Sequence, residues 1–283
     1  MTNASTTVGL IGASGLLGSA LFSALSSQDN IKLVVLHRPT SKLDVGKTET
    51  RVLDLAGSES DIHKALKGID VLVNATGKTD VATELAFVGH LATLPTPLRA
   101  YLPSDFSLNY TPEESEGVPL IEAKEAINAR AIELGLPLTT VHNGIFEPFL
   151  LTPFSGIDLK TGTLSLYPGA ENKPISITSP GYIGAAVAEI VQLPKLDKTY
   201  TVVEYAATGK EIAAALEEAG KKVTIEKWGD EGAAAAKASG PFGALSAAVR
   251  VKWGKGEWPE DDAYVPKAKK RDIKLAVQDA LKA

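Results

Sequence analysis

Short runs of β-branched and other apolar residues alternate along the first 145 positions with stretches in which apolar side chains recur at helical spacing. The runs predict strands at Thr7–Ile11, Ile31–Leu36, Thr50–Leu53, Val71–Asn74, Leu98–Leu102 and Leu138–His142. Between them, Leu16, Leu17, Ala20, Leu21, Ala24 and Leu25 share a helical face, as do Ile62 and Leu66 and the apolar positions of Val81–Leu94. Several strands are nearly continuous apolar runs, which fits a parallel sheet covered by helices on both faces. Strand–helix alternation at this spacing predicts right-handed crossovers and a doubly wound α/β sheet of the Rossmann class over residues 1–145.

Beyond Phe146 the texture changes. Pro148, Pro153, Pro168, Pro174 and Pro180 punctuate short strands near Thr163–Leu166 and Pro174–Ile177. Ser179 reads as a helix N-cap with Pro180 at the first helical position. A strand–helix–strand unit follows over Tyr200–Lys227. The Ala-, Gly- and Ser-rich stretch Asp230–Arg250 reads as a loosely packed helix or a mobile lid. Residues 146–283 are therefore expected to form a smaller α/β substrate-binding subdomain, whose late part returns elements to the first domain.

Composition narrows the chemistry. The chain has 283 residues, no cysteine and four scattered histidines, His37, His63, His90 and His142, so disulfides, thiol nucleophiles and a zinc site are not expected. A net charge of −5 argues against nucleic acid as a partner. No charged residue precedes Asp29, and Val8–Leu25 is mostly apolar, but Gly9, Gly12, Gly15 and Gly18 interrupt it. A strand entering a glycine turn and a buried helix explains that run better than a signal or membrane segment. The expectation is a cytoplasmic protein with no membrane association.

The turn itself, Gly12-Ala13-Ser14-Gly15-Leu16-Leu17-Gly18, follows the first strand and opens a helix. Glycines there allow a tight turn and let the backbone approach a pyrophosphate at the helix N-terminus, and the last one lets helix and strand pack closely. Twenty residues past Gly18, where an NAD site places an acid against the ribose diol, the chain has Arg38. That suits the 2′-phosphate of NADP(H), with Lys42 or Lys47 on the following loop as a helper; a solvated surface arginine is the alternative. Asp54, and Asn74 with Thr76 and Gly77, close the third and fourth strands where cofactor contacts belong; ordinary Asx turns are the alternative.

These features, with Tyr101-Leu102-Pro103-Ser104-Asp105-Phe106 and the helix bearing Lys124, resemble the NmrA-like and isoflavone-reductase-like group of atypical short-chain dehydrogenase/reductases. The segment YLPSDF is similar to that family's F-x-P-S-E-F-G signature, with Ser107 in place of the glycine. His142-Asn143-Gly144-Ile145-Phe146 resembles its segment at the mouth of the substrate pocket. Tyr167 to Thr178 resembles its G-x-G-N-x-x-x-x-F-T stretch. The resemblance implies NADPH dependence and reduction of aromatic or enone-type substrates. Two departures stand out: no Tyr-x-x-x-Lys occurs, Leu120 preceding Lys124 by four, and Tyr182-Ile183-Gly184 has Tyr in place of Asp.

On a helical wheel of Pro119–Leu134, Lys124 sits inside a broad apolar face of Leu120, Ile121, Ile127, Ala131, Ile132 and Leu134, with Asn128 beside it. A snorkelling surface lysine is the plain reading. By its match to the family's helix lysine, Lys124 becomes a candidate ligand of the nicotinamide ribose and a catalytic proton donor. Ser104 is a candidate for holding a substrate oxygen, or simply part of a turn. Phe146, Phe149 and His142 are candidate substrate contacts, with core packing as the alternative. Two functions follow: an NADPH-dependent reductase of a small, aromatic or conjugated substrate, or an NADP(H)-binding sensor or non-redox member acting through a protein partner.

Overall fold

The computed structural model describes residues 5–77, 79–196, 198–256, 258 and 262–282. In chain order come β1 (Thr6–Ile11), α1 (Leu16–Ser26), β2 (Ile31–His37), β3 (Glu49–Val52), α2 (Glu59–Leu66), β4 (Val71–Asn74), α3 (Val81–Ala92) and β5 (Ala100–Leu102). Next are β6 (Phe106–Ser107), α4 (Pro112–Ser115), α5 (Pro119–Glu133), β7 (Thr140–Asn143), β8 (Ile145–Phe146), α6 (Glu147–Leu150), β9 (Ile157–Asp158), β10 (Thr163–Leu166) and β11 (Pro174–Thr178). The chain closes with α7 (Pro180–Ile190), β12 (Thr199–Val202), β13 (Tyr205–Thr208), α8 (Gly209–Glu218), β14 (Thr224–Lys227), α9 (Asp230–Ala238), α10 (Pro241–Lys255) and α11 (Ile273–Ala280).

Two compact units result. The first takes residues up to 106, 123–141 and 183–200; the second takes 107–122, 142–182 and 201 onward. Where the sequence pattern suggests one division after residue 145, the chain therefore passes between the units several times. Residues 183–200, most of α7 among them, return to the first unit, in which Gly184 lies so close to α1 that a Cβ there would stand 2.8 Å from the Ala20 carbonyl oxygen.

The first unit is built on a five-stranded sheet in the order β3-β2-β1-β4-β5, parallel at every pairing. Strand order reverses at β1, whose Ile11 is in register with Leu36 of β2 and Asn74 of β4. The carboxyl ends of β1 and β4 thus flank the switch point at which doubly wound folds bind ligands. Val34, Leu36, Leu72, Phe87, Leu91, Tyr101 and Ala131 form part of one buried cluster beneath that edge.

The second unit holds two small sheets, β14-β10-β9 and β13-β11-β8, over a core that includes Leu150, Ile157, Ile175, Ile212 and Trp253. The Tyr182 N–H donates to Ser179 Oγ at 3.3 Å, the N-cap expected before Pro180. Asp230–Arg250 is helical, forming α9 and most of α10, with Ala233, Ala244, Ala247 and Val249 buried. Its small residues serve close helix contact, since a Cβ on Gly243 would overlap the Ala236 carbonyl. Strand ends differ from the sequence pattern by up to two residues. Leu138 precedes β7 and makes an isolated parallel bridge to Tyr101.

Candidate functional site

The glycine turn leaves β1 with Gly12 at φ +84°, a conformation L side chains rarely adopt, and a Cβ there would lie 2.6 Å from the Ala75 carbonyl oxygen. Gly18 is pressed against the turn itself: a Cβ would overlap the Gly12 carbonyl oxygen. Gly15 is different. Its N–H donates to the Gly12 carbonyl at 3.0 Å, yet a Cβ would meet nothing nearer than 3.4 Å. As N-cap of α1 it offers no side chain to the first-turn N–H groups, and Ser14 and Leu16 beside it are exposed. Leu16 is half exposed at 50%, while Leu17 is buried.

Arg38 and Lys42 follow β2 and are exposed. Among the described residues neither side chain has an ion-pair partner, which leaves both charges available to an anion. Asp54 Oδ1 accepts the Ala56 N–H at 3.0 Å and Asn74 Oδ1 accepts the Thr76 N–H at 3.0 Å. Both are Asx turns, the plainer of the two sequence readings. Asn74 is nonetheless fully buried, and its Nδ2 has no partner among the described residues.

Next to that turn lies a polar cluster. Thr76 Oγ1 is 2.8 Å from Asn74 Oδ1 and 3.2 Å from Glu84 Oε1. Ser104 Oγ donates to the Thr76 carbonyl at 2.5 Å. Lys124 Nζ stands 3.8 Å from Asp105 Oδ1, and Asn128 Nδ2 donates to Asp105 Oδ2 at 2.6 Å. Burial pushes the Lys124 ammonium below its usual range, against the opposing pull of the Asp105 and Glu84 carboxylates. Burial raises Glu84, against hydrogen bonds from Thr76 and Thr79 and the Lys124 charge. The Tyr101 hydroxyl, fully buried, is also raised by burial. The cluster therefore holds an amine that burial makes a stronger acid and a carboxyl that burial makes a weaker one.

The face of α5 that meets the core is narrower than the wheel suggests. Ile121, Ile127 and Ala131 are buried, but Leu120 is 39% and Ile132 66% exposed, so both leave the predicted stripe. Lys124 keeps its place between the buried positions. Sequence reasoning missed Glu84 altogether. The signal was there: Glu84 occupies the same face of α3 as Phe87, Val88 and Leu91, three, four and seven residues on.

In the second unit, Phe146 and Phe149 stack edge-on at 6.4 Å between centroids, Phe149 meets Phe154 at 5.7 Å, and Phe154 meets Phe242 of α10 at 5.0 Å. Phe149 and Phe242 are exposed, whereas neighbouring Leu150 and Leu151 are core. Phe242, distant in sequence, was not anticipated. Glu147 anchors this row: its Oε2 accepts from the Tyr205 hydroxyl at 2.8 Å and from Arg271 Nε at 3.0 Å. His142 is half-buried and lines a small cavity with Asn143, Ser176, Lys252 and Trp258. Among the described residues no group of His, Asp and Glu is placed to hold a metal, and no helix is long and apolar enough to cross a membrane.

Residues 4–232 match the model of the NmrA-like family. The chain belongs to the NmrA-like family. Its fold is also that of solved reductases. Leucoanthocyanidin reductase from Vitis vinifera superposes with a TM-score of 0.79 at 17% identity, covering 98% of this chain and 100% of that one. Isoflavone reductase gives 0.79 at 16% identity, over 98% and 100%. The triphenylmethane reductase of a Citrobacter species, solved with NADP(H), gives 0.73 at 20%, over 96% and 99%. The Vitis enzyme has also been solved with NADPH. No curated protein matches the chain by sequence. For this NmrA-like protein the likenesses establish a Rossmann-type α/β fold.

Proposed function

We propose that this protein is a cytoplasmic NADPH-dependent reductase of a small aromatic or conjugated substrate. One observation carries the reading: an uncapped glycine turn with an open Gly15 and the Lys124 cluster lie at the same carboxyl edge of one parallel sheet. The residues present fit the dinucleotide. Gly12, Ser14, Gly15, Leu16, Leu17 and Gly18 would hold its pyrophosphate at the α1 N-terminus, and Arg38 with Lys42 its 2′-phosphate. Asp54, Asn74, Thr76 and Gly77 would border it along the sheet edge. Neighbours of the same fold solved with NADPH or NADP+ support that assignment.

When bound, NADPH supplies hydride from its nicotinamide ring. The remaining work falls to the chain. Lys124 would bind the ribose hydroxyls and protonate the oxyanion that hydride addition creates, a step eased by its lowered pKa. Asp105 orients the ammonium and is itself held by Asn128. Ser104 spends its only hydroxyl hydrogen on the Thr76 carbonyl, so it would accept a hydrogen bond from a substrate hydroxyl rather than donate one. Phe146 and Phe149, extended by Phe154 and Phe242, offer rings for a planar substrate to stack on, with His142 as a further polar contact.

The cofactor assignment has a direct test. Titration calorimetry should show NADPH binding more tightly than NADH. Arg38→Ala should weaken NADPH by about 10- to 100-fold, the worth of a charge-assisted hydrogen bond, and leave NADH unchanged. Equal affinities in the unaltered protein would remove the 2′-phosphate assignment.

A further inference from the structure

The short helix α6 cannot hold itself in place. It runs for four residues, has no side-chain hydrogen bond at its N-cap and carries Pro148 in its only turn. Isolated helices shorter than about 12 residues are marginal in water, so the neighbours must fix this one. Yet it begins the aromatic row: Phe146 is its N-cap residue and Phe149 lies within it. At the far end Leu150 is fully buried, but Phe149 is 37% exposed and gives no such anchor. The Phe146–Phe149 contact is edge-on, with 83° between the ring planes, and therefore depends on how the turn is rotated. That leaves Glu147 to set the rotation.

Two donors converge on one oxygen of Glu147, the Tyr205 hydroxyl at 2.8 Å and Arg271 Nε at 3.0 Å. They meet there because their main chains are tied together beside it. Glu204, the residue before Tyr205 and only 1% exposed, accepts the Arg271 N–H at 2.8 Å. Its other oxygen accepts the Ser179 N–H, at the head of α7, at 2.9 Å. The Arg271 guanidinium is shared in turn, Nη2 donating to Asp279 of α11 at 2.8 Å. Glu147 keeps 13% of its side chain in solvent, so water screens its pair with Arg271 much less than it would a surface pair. On the stacking role assigned to these rings above, we infer that Arg271 is a positioning residue of the substrate site. Through Glu147 it sets the angle at which Phe146 and Phe149 meet a substrate, and the C-terminal segment thereby shapes the site without touching its ligand.

Arg271→Met removes the guanidinium and leaves the main chain in place, because Glu204 binds the backbone N–H rather than the side chain. Helix α11 keeps anchors of its own, the buried Val277 and the Lys274–Glu218 pair at 2.6 Å. The fold should therefore hold, while Glu147 is left with Tyr205 alone and α6 is free to turn. Arg271→Lys should recover part of the link, since one ammonium reaches Glu147 or Asp279 but lacks the fork that serves both. In a Glu147→Ala background, Arg271→Met should change the rings no further, because the link is already broken.

The deciding experiment is NMR of the full-length protein with labelled phenylalanine rings, each assigned by its Phe→Leu variant, and with 2-naphthol as a planar probe. Ring-to-ring NOEs between Phe146 and Phe149 should be lost in Arg271→Met and return in part in Arg271→Lys, while those between Phe154 and Phe242 stay. In the unaltered protein 2-naphthol should shift the Phe149 and Phe242 signals. Arg271→Met should weaken that binding by about tenfold, the worth of one charge-assisted hydrogen bond. An intact Phe146–Phe149 contact in Arg271→Met, or an unchanged naphthol affinity, overturns the inference. Naphthol that leaves the rings of the unaltered protein unshifted counts against their stacking role in the reductase reading, and the NOEs alone then decide this one. Once a substrate is known, Arg271→Met should raise KM and spare kcat, with Arg271→Lys in between; a general loss of stability would not produce that split.

Discussion

Lys124→Ala is expected to lower turnover by about 100- to 10,000-fold, the range for removing a positioned general acid. The fold should survive. Lys124 pairs with Asp105 at a long 3.8 Å and keeps about a third of its side chain in solvent, so little stability rests on it. Asp105 retains the Asn128 hydrogen bond at 2.6 Å when the ammonium goes. NADPH titration separates the two tasks assigned to the lysine. Affinity reduced severalfold with turnover lost fits ribose binding and protonation together. Unchanged turnover would leave Lys124 as no more than a cofactor contact. The pH profile should follow the same group: because burial lowers its pKa, activity should fall on the alkaline side earlier than an ordinary lysine would allow.

Gly18→Ala should do the opposite, damaging the fold before the chemistry. The new methyl would overlap the Gly12 carbonyl oxygen, a backbone atom held by its own turn, so α1 must shift away from β1. A cost of about 3 kcal/mol is in line with overpacking against a rigid neighbour. Gly15→Ala is the matched control. Its backbone is extended, at φ −76° and ψ 173°, and a Cβ has 3.4 Å of clearance. Melting should be nearly unaffected there, while NADPH affinity falls because the methyl occupies the approach to the pyrophosphate. Thermal denaturation and calorimetry on the two variants check both statements. Similar melting losses would mean the two glycines do not divide their duties in this way.

How far the sequence anticipates the molecule depends on whether its signal is local. Val71–Asn74 and Thr163–Leu166 are read residue for residue, because a strand covered on both faces, or one framed by turns, shows itself in a few positions. The glycine turn was equally legible, since steric demand and motif coincide at Gly12 and Gly18. The Ala-rich stretch shows its helical character in its composition, whereas the close approach of Gly243 to Ala236 appears only in the fold. Leu120 and Ile132 misled because apolar residues at the rim of a helix face need not be covered. The aromatic row was half visible: Phe146, Phe149 and Phe154 are neighbours in sequence, whereas Phe242 joins them only through the fold of α10. Glu84 escaped notice because an acid within an otherwise apolar helix reads as surface until its surroundings are known.

The central claim is that this chain oxidises NADPH at the expense of a small conjugated molecule. Its most direct test follows NADPH absorbance while the purified protein meets a panel of quinones, enones and phenylpropanoids, with product identified by mass. The account predicts that NADPH is consumed, that the product gains two hydrogens per molecule, and that Lys124→Ala abolishes most of the rate. Tight NADPH binding with no oxidation across the panel would contradict it and favour a cofactor-sensing protein.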